Sequence, residues 1–440
     1  MKRFYVISGG TFNYVDSHLI LGAPAFGSTG RVLKEYLVQE VARSGDEQTE
    51  IHLVLTRMAI GGSSRGEDDK KLLASAGLKD LKTNQDLQVL VDYLVSLGDT
   101  KCIVMAAGVV DFECTATNPS YGLSPGKEYP RLPSSKVHQL SLLPTHKILR
   151  NIRKTRKDIF LVAFKQTTQK SPDELYVAGL GLLKRNSANL VLANDTQNYW
   201  NMVITPEQAR YFEGSDRHAT LKGLAEMIVA RSQLTFTRST VKEGNLIPWA
   251  SSKIPDSLRT VVDYCVNSGA YKPFNGKTVG HFAVKFGEKT FGTSRRGANF
   301  NEQGGTDLVL IETDGADRVI AWGGSPSVGG QSQRLIFGEH PQMDCIVHFH
   351  CPKKTDSRVP YRSQKEYECG SHECGKNTSV GLASFENGEI LAVMLDKHGP
   401  NIVFNRNIDP QKVINFIEAN FDLKGRTDEL HQLQSAHAFS

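Results

Sequence analysis

Phe4-Tyr5-Val6-Ile7-Ser8-Gly9-Gly10-Thr11 is a β-branched and aromatic run that stops at a glycine pair, the pattern of a first strand meeting a turn. The next segment has a different period: in RVLKEYLVQEV at 31–41, Val32, Leu33, Tyr36, Leu37 and Val41 fall at helical spacing after Gly30. Further on, IHLVLT at 51–56, a helical stretch at 85–97, CIVMAA at 102–107, IFLVAF at 159–164, a helix near 174–184 and NLVLAND at 189–195 continue the alternation. Strand-helix alternation predicts an α/β fold with a doubly wound parallel sheet, and the nearly all-apolar strands belong at its centre.

After a helix at 221–231 the composition changes. TFTRSTVKEGNLIPWASSKIPDS at 235–257 is polar with two prolines and reads as a linker, so the first domain is placed at 1–234. A helix from Leu258 is followed by short strands at 281–286, 307–312, 344–350 and 389–395 and a closing helix at 410–421, an α+β second domain over 258–425. Residues 426–440 read as a polar, frayed tail.

The 440 residues suit two or three domains of roughly 100–200 residues each, and 39% hydrophobic with 22% charged residues is a globular balance. The net charge of +5 comes from 52 basic and 47 acidic residues with no long basic run, so nucleic acid is not an expected partner, whereas small anionic substrates are. Seven scattered cysteines do not form a disulfide framework, which points to a reducing, cytoplasmic setting. The opening residues lack a signal-peptide pattern, and no stretch of about 18 apolar residues predicts a membrane span.

Chemistry-bearing residues occur in both halves. Ser8-Gly9-Gly10-Thr11 offers unobstructed backbone N–H groups, and Gly27-Ser28-Thr29-Gly30 opens a helix whose N-terminus suits an anion. Asp111 follows small residues at a strand end, where open α/β sheets bind ligands; a helix cap or turn is an equal reading. Lys136 is either a phosphate partner or a surface lysine.

Taken in order, ISGGT at 7–11, FGSTG at 26–30, AAGVVDF at 106–112, SSKVHQLSLLP at 134–144, LVAFKQTT at 161–168 and NLVLAND at 189–195 resemble the phosphopantothenoylcysteine synthetases. The resemblance implies a Rossmann-like domain that uses CTP or ATP, with Mg2+ as a further candidate, to activate a carboxylate that an amine such as cysteine then attacks. It places Gly9, Gly10 and Thr11 at the phosphates, Asp111 and Phe164 at the nucleoside, Lys136 at the triphosphate and Asn194-Asp195 near the base. Phe164-Lys165 looks like the ATP-using branch. Ala23 and Thr167 stand where the family has an asparagine and a glutamate. Two family lysines fall on Leu182 and Asn186, with Lys184 and Arg185 close by.

In Val347-His348-Phe349-His350 the histidines at i and i+2 of a strand share one face, and His398 in LDKHGPNIVF follows another apolar strand. Three imidazoles with an open position describe a catalytic zinc, or another divalent metal, better than a structural site. From about Leu258 to Leu423 the chain resembles the class II aldolase and adducin family. That likeness rests on GHFAVKFGEKTFGTSRRG at 280–297, GGTDLVLI at 304–311 and SPSVGGQSQRLIFGEHPQMDCIVHFH at 325–350. It implies zinc on His348, His350 and His398, and substrate anions at Thr293, Ser294, Ser325 and Ser327 with Arg295 and Arg296 nearby. Gly329 replaces the family's glutamate acid and His281 its asparagine, which leaves Glu339, His340, Glu366 and Tyr367 as candidate proton-transfer groups. Cys369, His372 and Cys374 form a separate cluster, read as a second metal site, as loop cysteines or as lining of the zinc pocket.

Three functions stay open: a ligase joined to a zinc-dependent lyase or epimerase, the lyase with a non-catalytic nucleotide-binding or oligomerisation domain, and an adducin-like assembly module. Both resemblances imply a homo-oligomer, dimer or tetramer.

Overall fold

The computed structural model describes residues 1–116, 126–313, 318–327, 330–385 and 388–430. The chain divides into two compact units, Met1–Ile204 with Phe212–Ser232, and Thr205–Tyr211 with Gln233–Ser440.

The first elements are β1 (Lys2–Gly10), β2 (Phe12–Tyr14), β3 (Ile20–Gly22), α1 (Ser28–Ser44), β4 (Thr49–Leu55), α2 (Arg57–Ile60), α3 (Glu67–Ser75), α4 (Asn84–Ser96) and β5 (Thr100–Gly108). They continue through β6 (Phe112–Ala116), β7 (Leu140–Pro144), α5 (Ile148–Thr155), β8 (Phe160–Thr167), α6 (Pro172–Asn186), β9 (Leu190–Asp195), β10 (Asn201–Ile204), β11 (Arg210–Gly214) and α7 (Arg217–Ser232). The sheet order is β11-β10-β9-β8-β5-β1-β4. β4, β1, β5, β8 and β9 are mutually parallel. After β1 the chain steps outward to β4 and then crosses back to β5, so the winding reverses between β1 and β5, the point at which such sheets bind ligands.

Burial explains the central strands, since Phe4 through Ile7, Cys102 through Val104 and Leu190 through Ala193 are essentially inaccessible. Helix starts follow local chemistry as well. Thr83 with Asp86 and Ser171 with Glu174 form reciprocal capping boxes at α4 and α6. The hairpin of β6 and β7 keeps Phe112, Leu140, Leu142 and Leu143 exposed.

The second unit holds β12 (Arg238–Lys242), α8 (Asp256–Asn267), β13 (Pro273–Phe274), β14 (Lys277–Thr278), β15 (His281–Lys285), β16 (Thr290–Ser294), β17 (Leu308–Thr313) and β18 (Arg318–Trp322). It is completed by α9 (Gly330–Glu339), β19 (Cys345–His348), β20 (Tyr361–Arg362), α10 (His372–Ala383), β21 (Ile390–Leu395), β22 (Gly399–Phe404) and α11 (Pro410–Asn420). Its sheet runs β12-β18-β17-β16-β15-β19-β22-β21-β20 and is antiparallel through β15, β16, β17, β19, β21 and β22. Alternation gives it two cores. Phe282, Val347, Ile402 and Phe404 pack on one face with Leu258 and Val262 of α8 and Val413 and Ile417 of α11. On the other face Ala283, Ile346, Val403 and Val393 meet Ile336 and Phe337 of α9 and Leu382 of α10.

Two expectations change. The stretch 235–257 is not wholly a linker, because Arg238–Lys242 pairs in parallel with β18 as an edge strand. The tail does not begin at Arg426. Thr427 and Asp428 are buried, and Arg426 donates to Asp428 through both Nε and Nη2. Residues 431–440 lie outside the described residues. No helix among the described residues is long and apolar enough to cross a membrane.

Candidate metal centre and the sheet ends

In the second unit, β19 delivers His348 on the α9/α10 face, two residues beyond Ile346 of that core. His350 follows just past the strand. His398 sits in the tight connection from β21 to β22, where Leu395 pairs with Gly399. All three side chains are buried, and their ligand nitrogens lie within 4.8 Å of one another. His348 Nε2 is 3.2 Å from His398 Nε2. Zn–N bonds of ~2.0–2.1 Å in a tetrahedral set separate neighbouring nitrogens by about 3.3 Å, so this spacing fits one shared ion.

The tautomer of His348 follows from its other nitrogen. Nδ1 lies 2.7 Å from the carbonyl oxygen of Pro400. A carbonyl only accepts, so Nδ1 carries the proton and Nε2 turns a lone pair toward His398. Burial pushes the His348 pKa down to about 4, against a smaller upward pull from that carbonyl, so the ring is neutral near pH 7 as a metal ligand must be. Gly399 allows the approach of β22, because at its φ of +143° a Cβ would sit 2.1 Å from the Phe349 carbonyl oxygen. Thr427 supports the backbone of the other two histidines, its N–H donating to the His350 carbonyl at 3.2 Å and its hydroxyl to the His398 carbonyl at 2.9 Å.

A polar row crosses the sheet here. His281 pairs directly with His348, and His348 with Asn401, so the three side chains share a face. The His281 ring stacks on His348 with centroids 4.7 Å apart, and burial together with His348 holds its pKa well below the ordinary histidine value. Gln333 of α9, fully buried, places Nε2 2.6 Å from His281 Nδ1. Its Oε1 is buried without a hydrogen-bond partner among the described residues. A buried acceptor left so costs about 1–3 kcal/mol until a donor arrives.

The expected anion residues come together, though not as side-chain donors throughout. Arg296 N–H donates to Ser325 O and Ser327 N–H to Ser294 O, both at 2.9 Å, zipping the two segments. Thr293 and Ser294 are fully buried with their hydroxyls against the Phe282 backbone, so Arg295, Arg296 and Ser325, all exposed, are the groups open to an anion. Of the proton-transfer candidates, His340 is committed to the Ser379 hydroxyl at 2.8 Å and Glu366 to Ser363 at 2.6 Å. Glu339 is exposed at the end of α9, and Tyr367 is half-buried beside Gln364. Gly329 lies outside the described residues.

Cys369, His372 and Cys374 do not converge as a second site. Among the described residues the histidine triad is the one metal-type group, His372 Nε2 meets the Thr237 hydroxyl at 2.8 Å, and Cys374 packs beside Gln364.

In the first unit the strand ends align as expected, with Gly10 opposite Gly108 and Lys165 and Gln166 opposite Ala193 and Asn194. The glycine turn is filled by the chain itself. Gly10 N–H donates to Ala25 O at 2.6 Å and Thr11 N–H to Gly108 O at 2.9 Å. A Cβ on Gly10 would lie 1.8 Å from Ala23 O, so that glycine serves backbone packing. Gly27 caps α1 in the left-handed region ahead of Ser28.

Asp111 is exposed and pairs with Lys147 at 2.6 Å, Lys136 is exposed, Phe164 is half-buried and Asn194 is buried. Lys184 lies exposed in the last turn of α6. Asp195 is not turned to a base. It accepts the N–H groups of Lys170, Gln197 and Asn198 and the Thr167 hydroxyl at 2.9–3.0 Å, tying two loops together.

No protein-family model matches the sequence, and no curated protein does. Among solved structures the chain is similar to the DNA/pantothenate metabolism flavoprotein from Streptococcus pneumoniae, 20% identical over 52% of this chain and 96% of that one, with a TM-score of 0.39. The C-terminal domain of the coenzyme A biosynthesis bifunctional protein CoaBC is 20% identical over 52% of this chain and 92% of its own, with a TM-score of 0.33. L-fuculose 1-phosphate aldolase is 17% identical over 39% and 84% respectively, with a TM-score of 0.28. These neighbours fall into the two groups of proteins that the sequence resembles, one for each half of the chain.

Thr427→Val keeps the side-chain volume and removes the hydroxyl that braces His398. We expect zinc affinity, measured by chelator competition, to fall about 10-fold or more, as for other outer-layer supports of metal ligands. An unchanged affinity contradicts that support.

Proposed function

We propose that the chain is a bifunctional metabolic enzyme. Its second unit performs metal-dependent lyase or epimerase chemistry on a small anionic hydroxycarbonyl compound, and its first unit is a CTP- or ATP-dependent acid–amine ligase. The observation that carries the reading is the His348-His350-His398 triad, with the His348 lone pair fixed toward His398 by the Pro400 carbonyl. Bound there, zinc or another divalent ion supplies Lewis acidity toward a carbonyl oxygen. The three histidines hold the ion, buried and neutral. Arg295, at the end where β16 leaves the sheet, meets the anionic group of the substrate.

Purified protein should carry about one zinc or similar ion per chain by mass spectrometry, lost in His348→Ala/His350→Ala. A metal-free wild type after reconstitution contradicts the centre and leaves nucleotide-dependent ligation as the chemistry of the chain.

For the first unit the support is the aligned carboxyl ends of β1, β5, β8 and β9 and the order of the six motifs. The ligase step joins a substrate carboxylate to the α-phosphorus with loss of pyrophosphate, after which an amine displaces the nucleoside monophosphate. A second reading is favoured by the bonds that Gly10 and Thr11 already make, which withdraw the expected phosphate donors. In it the unit binds nucleotide or acts as a scaffold without ligation. Pyrophosphate release that depends on an acid and an amine and drops at least tenfold in Lys136→Ala supports the ligase. Its absence with every acid tried supports the scaffold.

A further inference from the structure

We propose that residues 205–211 act as a clip that positions the third metal ligand, His398, through Lys397. This rests on the metal-centre reading above and adds to it a positioning residue. It also adds a requirement, because the centre is then incomplete without a segment that stands far upstream of its ligands in the sequence.

Thr205–Tyr211 follows β10 directly, yet it groups with Gln233–Ser440 in the second unit. There it holds two separate loops. Glu207, almost wholly buried, accepts the backbone N–H of Cys369 through Oε1. Lys397 donates from its ammonium to the Arg210 carbonyl oxygen at 2.8 Å, and the same Nζ lies 5.4 Å from the centroid of the Tyr211 ring. A carbonyl oxygen and an aromatic face both attract a cation, so the two contacts depend on one charge.

Lys397 matters because of where it stands. It immediately precedes His398 in the connection from β21 to β22, and its backbone is left-handed, with φ at +52°. Residues other than glycine and asparagine seldom take that conformation from local preference, so contacts outside the turn must hold it. The neighbouring residues of the turn are anchored in the same way. Asp396 N–H donates to Arg362 O at 2.9 Å, and its Oδ1 accepts the Tyr361 hydroxyl at 2.7 Å. The His398 carbonyl accepts the Thr427 hydroxyl. Each of the three residues between Leu395 and Gly399 thus has its own anchor, and that of Lys397 comes from upstream of Gln233. Releasing it frees the peptide that sets the direction of the His398 side chain, and a metal site depends on such outer support of its ligands.

The test uses the full chain, with zinc affinity read by chelator competition and cobalt(II) as a visible-spectrum probe of the ligand set. In Lys397→Met, which keeps the stem and loses the charge, zinc affinity should fall about 10-fold, the effect of removing an outer support. The cobalt band should weaken as water replaces a loosened imidazole. Lys397→Arg, which still offers a cation to the carbonyl and the ring, should recover most of the affinity. Lys397→Gly guards against a variant that fails to fold, since glycine suits the left-handed turn; its affinity should fall as in Lys397→Met. A merely structural clip would lower the thermal midpoint and leave both the zinc affinity and the cobalt spectrum of the folded variants as in wild type, and that result overturns the inference. Wild-type affinity in Lys397→Gly overturns it too, as does a loss in Lys397→Arg equal to that in Lys397→Met. A wild type that binds neither zinc nor cobalt overturns the metal reading and this inference with it, and is told apart because wild type and variants are then alike metal-free.

Discussion

The hydrogen bond from His348 Nδ1–H to the Pro400 carbonyl oxygen decides what the buried histidines can do. Without it both tautomers of His348 are open, and in one of them a proton occupies the nitrogen that faces His398. With it, the lone pair is committed to the space between the rings. The bond exists because β22 begins at Gly399, whose backbone conformation and missing Cβ let the strand pass against Phe349. His398 is fixed by the same feature, since it occupies the residue before that glycine in the connection from β21. One glycine thus brings together His398, which precedes it, and Pro400, which follows it and fixes the His348 ring.

Placing so many polar groups inside a sheet is tolerated because they are confined to one end of one face. Along β15, β19 and β22 the residues Ala283, Ile346 and Val403 pack under α9 and α10, and two positions further on each strand the same face turns to His281, His348 and Asn401. The opposite face remains apolar throughout, from Phe282 and Val347 to Ile402. The hydrophobic core is complete before the site begins, so site residues change without removing the packing that holds the strands.

How far the sequence reveals this depends on what each residue buries. Phe4–Gly10 and the later parallel strands are legible because central strands are uniformly apolar. His348 and His350 are legible because their spacing matches the period of a strand. β12 is not, since all five of its residues are exposed and no hydrophobic pattern marks it. Thr427 stands in a polar terminus and acts through a hydroxyl and a backbone N–H, neither of which leaves a periodic signal. Gln333 lies in GQSQRLIF, where a buried glutamine and a solvated one look alike; only its contact with His281, fifty-two positions earlier, separates them. The glycine turn of β1 shows the converse limit. A strand followed by Gly-Gly describes a backbone that something approaches closely, and here the approaching group is the chain's own Ala23–Ala25 segment.

The central claim is that a divalent ion is held by three imidazole nitrogens of the second unit, and X-ray absorption at the zinc edge of the reconstituted protein addresses it directly. The account predicts a first shell containing three nitrogen scatterers at about 2.0–2.1 Å with imidazole outer-shell features and an exchangeable oxygen. Sulfur at about 2.3 Å would contradict it, because the ion would then be held by cysteines such as Cys369 or Cys374 and the triad would be a hydrogen-bonded histidine cluster.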